Sequence, residues 1–245
     1  MMNLSEAIWQ RNFKRVKELV ESGVDVNIPA FDWMSPPLLE AIRNDDMRMV
    51  AYLLAHGAKP TATILEMCIR EECKPNIFKR LLKTGINPNL WEEKERIPLL
   101  VNAARFGKYR LASRLLEAGA DPNIPEFYFC GDKHKSPGAT PLMMAAYYNH
   151  IRLLDKLLTY GANINSLDAD GKNALFYACI GFGELKIYRW LVTHGINIHV
   201  RTTYGYSILD CINDVYPFVA VGAEKYLIAC GAPPATKVFK KPQTD

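Results

Sequence analysis

The sequence predicts an all-α solenoid: a curved stack of about seven helix–turn–helix units with short β-hairpin fingers and atypical capping units at both ends. The first observation is a nine-residue motif, LLEAGADPN at 115–123, which is one of seven related copies along the chain. The second is its period, because the glycines of successive motifs lie 34, 28, 34, 42, 34 and 36 residues apart. Such a period is typical of stacked repeats, whose units share one elongated core. The motif glycines are Gly23, Gly57, Gly85, Gly119, Gly161, Gly195 and Gly231.

Each unit has the pattern of two short helices, and residues 138–165 show it most clearly. Thr140 is a natural N-cap, and Pro141 follows at the first helical position, where its missing N–H costs nothing. Apolar residues at helical spacing predict a second helix over 151–160. Gly161 then ends this helix, as a residue with positive φ does. We predict units at about 1–27, 28–61, 62–89, 90–123, 124–165, 166–199 and 200–235, and a short polar tail at 236–245.

These residues resemble the ankyrin repeat. The family pattern runs roughly D-x-x-G-x-T-P-L-H-x-A-A, then a helix, then L-L-x-x-G-A-D-x-N; ATPLMMAA and LLTYGANIN come close to it. Residues 97–123 match as well, and residues 168–197 keep Asp168 and Gly171 of the finger. The resemblance covers about residues 3–235. The tetratricopeptide repeat also has a 34-residue period, but its W-x2-L-G-x2-Y pattern is absent here.

The sequence departs from the family pattern within the inner helices and at the third unit. The histidine of T-P-L-H, which supports the turn in the family, is replaced by Leu39, Met143 and Phe176. We expect apolar packing to take over its role. Only Ala62 separates Thr61 from Thr63, which leaves no room for a finger between the second and third units.

The fifth unit carries an insertion over 124–139, with 16 residues where the next unit has seven. It contains Phe127, Tyr128 and Phe129, followed by Lys133. One interpretation is an enlarged finger whose aromatic residues cover their own neighbours. The other is a contact surface for a partner, because insertions in solenoids map to loops on one face, often the binding face.

The terminal units are expected to be caps. The first unit begins directly at its helix, LSEAIWQ, and the last contains Pro217, which should bend or break a helix. Solenoids need such atypical end units to close their cores.

Composition excludes several functional classes. The net charge is +4, and residues 1–123 and 124–245 each carry about +2, so no basic tract indicates nucleic acid. No secretory signal and no membrane-spanning run is expected, because the N-terminus has no h-region and no apolar run reaches 18 residues. The six cysteines form no CxxC pair and no metal-ligand spacing, and Cys68 and Cys179 stand where the repeat has alanine. We therefore expect reduced cysteines, no cofactor or metal, and a cytoplasmic protein.

Catalytic motifs are absent from the sequence, which has no GxSxG, GxxxxGK[ST] or HExxH. His56 and His194 each precede a motif glycine, where they can interact with the terminal carbonyls of a helix. Pairing of His199 with Cys211 or Asp210 would need a geometry that nothing in the sequence fixes. We expect no enzyme activity.

The resemblance implies a binding surface, because in the family the concave face is built from finger tips and exposed positions after the A-A pair. On this chain those positions are polar and basic at first and then aromatic, which suits a protein partner, since aromatic side chains and arginine are enriched at binding hot spots. The candidate contact residues are Trp9, Phe31, Trp33, Arg43, Trp91, Arg105, Phe106, Phe127, Tyr128, Phe129, Lys133, Tyr147, Tyr148, Phe182 and Tyr204.

The function expected from this pattern is protein–protein recognition by a monomeric adaptor, through a preformed surface that loses little entropy on binding. One alternative is an effector that a microbe or virus uses to sequester a host protein by the same surface. A second is an enzyme with an unrecognised site in the 124–139 insertion. A third, a nucleic-acid binder, is disfavoured by the balanced charge.

Overall fold

The structure, a computed structural model, describes residues 3–29, 35–91, 97–130, 134–214 and 222–236. These ranges contain fourteen helices and a two-stranded antiparallel sheet. The helices of the first four pairs are α1 (Leu4–Trp9), α2 (Phe13–Glu21), α3 (Pro37–Arg43), α4 (Met47–Ala55), α5 (Ala62–Arg70), α6 (Pro75–Leu82), α7 (Leu99–Arg105) and α8 (Tyr109–Glu117). The later elements are β1 (Phe127–Cys130), β2 (His134–Pro137), α9 (Pro141–Tyr147), α10 (Ile151–Thr159), α11 (Ala174–Ile180), α12 (Leu185–Thr193), α13 (Ile208–Asp214) and α14 (Ala223–Ala229).

The helices form two layers. The odd-numbered helices pack side by side in an inner layer, in which α9 contacts α7 on one side and α11 on the other. The even-numbered helices form an outer layer, in which α6 contacts α4 and α8. One continuous cluster of buried apolar side chains runs between the layers from Leu4 to Ala232. The prediction of an all-α repeat solenoid is confirmed.

Local capping sets where the helices begin. The Thr140 side chain accepts a hydrogen bond from the Met143 N–H, and Pro141 occupies the first turn, as predicted. Thr61 caps α5 in the same way, from the Ile64 N–H, immediately after the preceding unit ends. Because the cap follows the unit directly, no finger separates the second and third units.

The seven motif glycines end the outer helices, and all have positive φ, between 83° and 92°. A side chain is strained in this conformation, which explains why glycine recurs at each position. His56 and His194 accompany two of these helix ends. Their Nδ1 atoms lie 2.8 and 2.7 Å from the carbonyl oxygens of Tyr52 and Trp190, respectively. The structural role predicted for both histidines is confirmed.

The asparagine that ends the motif connects one unit to the next. The Asn123 side-chain amide donates to the Gly161 carbonyl at 3.0 Å, and its Oδ1 accepts from the Asn163 N–H at 2.7 Å. Asn27 makes the same pair of bonds to Gly57 and Lys59. Asn165 repeats it on the residues that follow α12. The repeated motif therefore stabilises both the helix end and the stacking.

We expect Asn123→Ala to lower the free energy of unfolding by about 1–2 kcal/mol, because two hydrogen bonds between units are lost at an exposed position. Urea denaturation followed by circular dichroism measures the change. Asn76→Ala is the control, since Asn76 is exposed and its side chain makes no hydrogen bond within the described ranges. Equal stability of the two variants would contradict a stacking role for Asn123.

Apolar side chains fill the positions of the absent histidine. Leu39, Met143 and Phe176 are all buried, so the predicted replacement by packing is confirmed. Cys68 and Cys179 are buried free thiols in the inner layer, as expected for residues in alanine positions.

The insertion of the fifth unit is an enlarged β-hairpin. Strands β1 and β2 pair antiparallel, with Phe127 opposite Pro137 and Cys130 opposite His134. Two backbone hydrogen bonds close its base: Glu126 N–H to the Ala139 carbonyl and Gly138 N–H to the Glu126 carbonyl. Pro217 lies outside the described residues, and α13 ends before it at Asp214.

Candidate protein-binding surface

The candidate contact residues of the inner layer occupy equivalent places at the ends of its helices. Trp9, Arg43, Arg105 and Tyr147 are the last residues of α1, α3, α7 and α9. Ile180 ends α11 in the same way. The repeat register therefore brings these side chains into one row, which we call the inner stripe: Trp9, Arg43, Arg70, Arg105, Phe106, Tyr147, Tyr148, Ile180 and Phe182.

Three aromatic rings of the stripe form a compact cluster. The ring centroids of Tyr147 and Tyr148 are 4.7 Å apart, and each lies 5.9 Å from that of Phe182. Phe182 is 64% exposed, whereas the two tyrosines are half-buried. The two tyrosines are therefore partly covered, because they pack against each other and against Phe182. The cluster presents one exposed ring on a supported base.

An altered turn places Phe182 on this cluster. In the first five units, the residue two after the inner helix has positive φ; these residues are Arg11, Asp45, Glu72, Gly107 and Asn149. The equivalent Phe182 does not, and its N–H donates to the Tyr147 carbonyl at 2.7 Å. Gly181 makes this approach possible, because a Cβ there would lie 2.4 Å from the same carbonyl oxygen. In the sequence, this altered turn is indicated by the two glycines, Gly181 and Gly183, on either side of Phe182.

Ion pairs neutralise the arginines of the stripe. Arg43 donates to both carboxylate oxygens of Glu71, at 2.8 and 3.1 Å, and this hydrogen bonding lowers the pKa of Glu71. The Arg105 guanidinium lies 2.7 Å from Glu126, which is only 2% exposed. Because these arginines are paired with glutamates, the first half of the stripe is polar and does not present free positive charge.

Phe106 connects the polar and aromatic halves of the stripe. It is 40% exposed, and the Arg70 guanidinium lies 5.6 Å from its ring centroid. Arg70 also pairs with Glu66 at 2.7 Å. A guanidinium over an aromatic face stabilises the ring's position, so Phe106 is held on the surface next to the tyrosine cluster.

The remaining candidate residues with described side chains lie outside the cluster of three rings. Trp9 is 70% exposed at the start of the stripe, and Tyr204 is 67% exposed in the last finger. Trp91 is exposed and pairs with Pro98 in a single β-bridge. Phe127 is half-buried at the start of β1. Phe31, Trp33 and Lys133 lie outside the described residues, and only the strand positions of Tyr128 and Phe129 are described.

His150 supports the cluster from below. Its ring stacks against Tyr148 with centroids 6.1 Å apart, and it lies beneath Gly107, where a Cβ would approach its Cε1 to 2.6 Å. Burial lowers the pKa of His150, and a hydrogen bond with the Arg105 backbone opposes the shift. The neutral imidazole is therefore favoured in the folded state.

We expect the folded protein to lose stability on acidification partly through His150. The unfolded chain takes up the proton first as pH falls through about 6.5, because the folded pKa lies below that value. The stability that depends on neutral His150 is present above this pH and is lost below it. The fall in Tm between about pH 7.5 and pH 5.5 should be smaller in His150→Gln than in the wild type. The exposed His199→Gln is the control; an unchanged slope in His150→Gln would contradict the assignment.

The described residues show no arrangement typical of catalysis. Their His, Cys, Asp and Glu side chains form no group of three that could hold a metal ion. Their cysteines with described side chains are free thiols. None of the described helices has the length and apolar character needed to span a bilayer.

Stacked helix pairs that display an inner stripe of polar and aromatic side chains define a helical repeat solenoid. Comparison with known proteins gives the kind of repeat: residues 100–202 match the family model of ankyrin repeats, in three copies. These residues therefore contain ankyrin repeats, as the motif pattern predicts. Ankyrin repeats are generally protein–protein interaction modules, and their fold is typically a non-enzymatic scaffold.

Relatives and solved structures agree with this assignment. The chain is 32% identical over 125 residues to the ankyrin repeat domain-containing protein SAT10 of Stachybotrys chartarum, covering 51% of this chain and 5% of that protein. It is 37% identical over 109 residues to the fem-1 homolog C of Xenopus laevis, covering 41% of this chain and 17% of that protein. The chain therefore spans only a small part of these relatives. The human ASB11 ankyrin repeat domain has the same fold, with a TM-score of 0.69 and 23% identity. The match covers 96% of this chain and 100% of that domain.

Proposed function

We propose that this protein is a non-enzymatic adaptor that binds a protein partner through the aromatic half of the inner stripe. The observation that carries the proposal is the exposed Phe182 ring on the Tyr147–Tyr148 pair. An aromatic ring held in place on a surface loses little conformational entropy when it is covered, so it can anchor a partner at low cost. Phe106 extends the apolar contact toward the third unit.

The paired arginines give this surface its specificity. Arg43 and Arg105 are already neutralised by Glu71 and Glu126, so a partner need not supply carboxylates to them. Interfaces of this kind bury an apolar centre inside a polar rim. The proposed partner surface is therefore apolar at its centre, opposite Phe182, and neutral but polar around it.

The test is a pull-down in which bound proteins are quantified for wild type, Phe106→Ala/Phe182→Ala and a matched control. Truncating two exposed rings should remove at least about 90% of the specifically bound partner, since central aromatic anchors contribute about 2 kcal/mol or more. The control, Tyr160→Ala/Ile228→Ala, truncates two exposed apolar side chains of the outer layer. If both double variants retain the same proteins as the wild type, the inner stripe is not the binding site.

A further inference from the structure

The outer helices of the solenoid carry a net positive charge, whereas the rest of the chain is net negative. The seven outer helices contain thirteen Lys and Arg against five Asp and Glu, and the rest of the chain contains seventeen against twenty-one. Charge counted along the chain hides this difference, because each unit contributes one helix to each layer. The outer layer is therefore a basic face, although the whole protein is only mildly positive.

A large share of the positive charge lies around α6 and α8. Residues 73–91 and 97–116 contain eight basic residues and no Asp or Glu, and residues 92–96 between them add two basic residues and three glutamates. Four of the eight pair with acidic side chains: Lys74 with Asp45, Arg105 with Glu126, Lys108 with Glu72, and Arg114 with Glu117 at the end of the same helix. Within the described ranges, Lys79, Arg80, Lys83 and Arg110 have no carboxylate partner and are exposed.

A groove of about 590 Å³ runs between these two helices. Its lining includes the hydrogen-bond donors Lys74, Asn76, Tyr109, Arg110, Ser113 and Arg114, with Glu117 at one end. A smaller cleft of about 220 Å³ shares Lys74 and Arg110 with it and extends it toward Lys108. The groove has the volume of a typical ligand site and is lined mainly by donors.

Of the cations without a carboxylate partner, Arg110 lines the groove, whereas Arg80 and Lys83 lie beyond its lining. Arg80 and Lys83 follow Asn76 by four and seven residues, so they lie toward the C-terminal end of α6 on the side that carries Asn76. Arg110 and Arg114 are four residues apart on α8 and form the opposite row. The cations are spread along two parallel rows and do not converge on a single point.

We propose that this groove, between α6 and α8 on the outer layer, binds an acidic, Asp- and Glu-rich segment of a partner protein. Carboxylates repeated along an extended chain match cations repeated along two helices. Oppositely charged surfaces steer association and fix the register of the partner. A nucleic acid duplex or an anionic bilayer would lie across the tops of the outer helices and use the cations of the whole layer.

The probe is a fluorescein-labelled peptide of about twelve residues that alternates Glu and Ser, with a Gln–Ser peptide as its neutral counterpart. Binding is followed by fluorescence anisotropy at about 50 mM NaCl, where screening is moderate. Arg80→Glu/Arg110→Glu should weaken binding of the acidic peptide at least about tenfold. Lys14→Glu/Lys225→Glu changes the net charge equally in the first and last outer helices and should weaken it less than about threefold. Circular dichroism confirms that both variants are folded.

Three results would overturn the proposal. One is that both charge-reversed variants weaken binding of the acidic peptide equally, which would assign binding to the whole outer layer and not to the groove. Another is equal binding of the Gln–Ser peptide. The third is tighter binding of a DNA duplex or of phosphatidylserine vesicles, with the same dependence on Arg80 and Arg110. Phe106→Ala/Phe182→Ala should bind the acidic peptide like the wild type, so failure of the inner-stripe proposal is distinguished from failure here.

Discussion

Arg105→Ala is expected to lower the free energy of unfolding by about 3 kcal/mol. The substitution removes the guanidinium 2.7 Å from Glu126, whose side chain is 2% exposed. A buried carboxylate that loses its cation keeps the cost of its desolvation. The backbone of Glu126 also closes the base of the β1–β2 hairpin, so displacement of this residue should loosen the enlarged finger.

Arg43→Ala provides the matched control. Arg43 also ends an inner helix and also pairs with a glutamate, but Glu71 is exposed, and an exposed pair contributes about 1 kcal/mol or less. Urea denaturation of both variants gives the comparison. Adding Glu126→Gln to Arg105→Ala should recover at least about 1 kcal/mol, because a neutral amide costs less to bury than a charge. Equal losses for Arg105→Ala and Arg43→Ala would argue against a buried ion pair.

The sequence predicted the features of the fold that depend on a few neighbouring residues. Gly161 at a helix end and Thr140 at a helix start each follow from local backbone geometry, and both were found as expected. The missing third finger follows equally directly, because the chain between Gly57 and Thr61 is too short for one. The stacking role of Asn123 was not predicted, since its partners lie about forty residues away.

The candidate surface was predicted only as a row of positions. Register alone places Tyr147 and Phe182 in that row, but it does not give their exposure. Burial depends on the turn between α11 and α12, which differs from the five turns before it. The Arg105–Glu126 pair joins a helix end to an insertion 21 residues away, so neither residue type nor spacing indicated it. The basic outer layer is not visible in the net charge of either half of the chain, because each unit contributes one helix to each layer.

Gly181→Ala is expected to lower the free energy of unfolding by about 2–3 kcal/mol and to open the aromatic cluster. The added Cβ would lie 2.4 Å from the Tyr147 carbonyl oxygen and 2.6 Å from Cγ of the Tyr147 side chain. That carbonyl already accepts the Phe182 N–H at 2.7 Å, so the turn must move away from α9 and break this bond. Phe182 would then leave the ring pair that supports it.

Urea denaturation measures the stability, and near-ultraviolet circular dichroism of the tyrosines reports the cluster. Ile180→Ala is the control, because Ile180 is exposed beside the same turn and its truncation should cost less than about 0.5 kcal/mol. Gly181→Ala should also lose the partner that the wild type binds, although its aromatic residues are intact. A Gly181→Ala protein with wild-type stability, spectrum and binding would show that the close approach of this turn to Tyr147 is not needed. Binding lost together with the tyrosine signal would instead tie recognition to the unusual turn, the one departure from the repeat that places an exposed ring on a supported base.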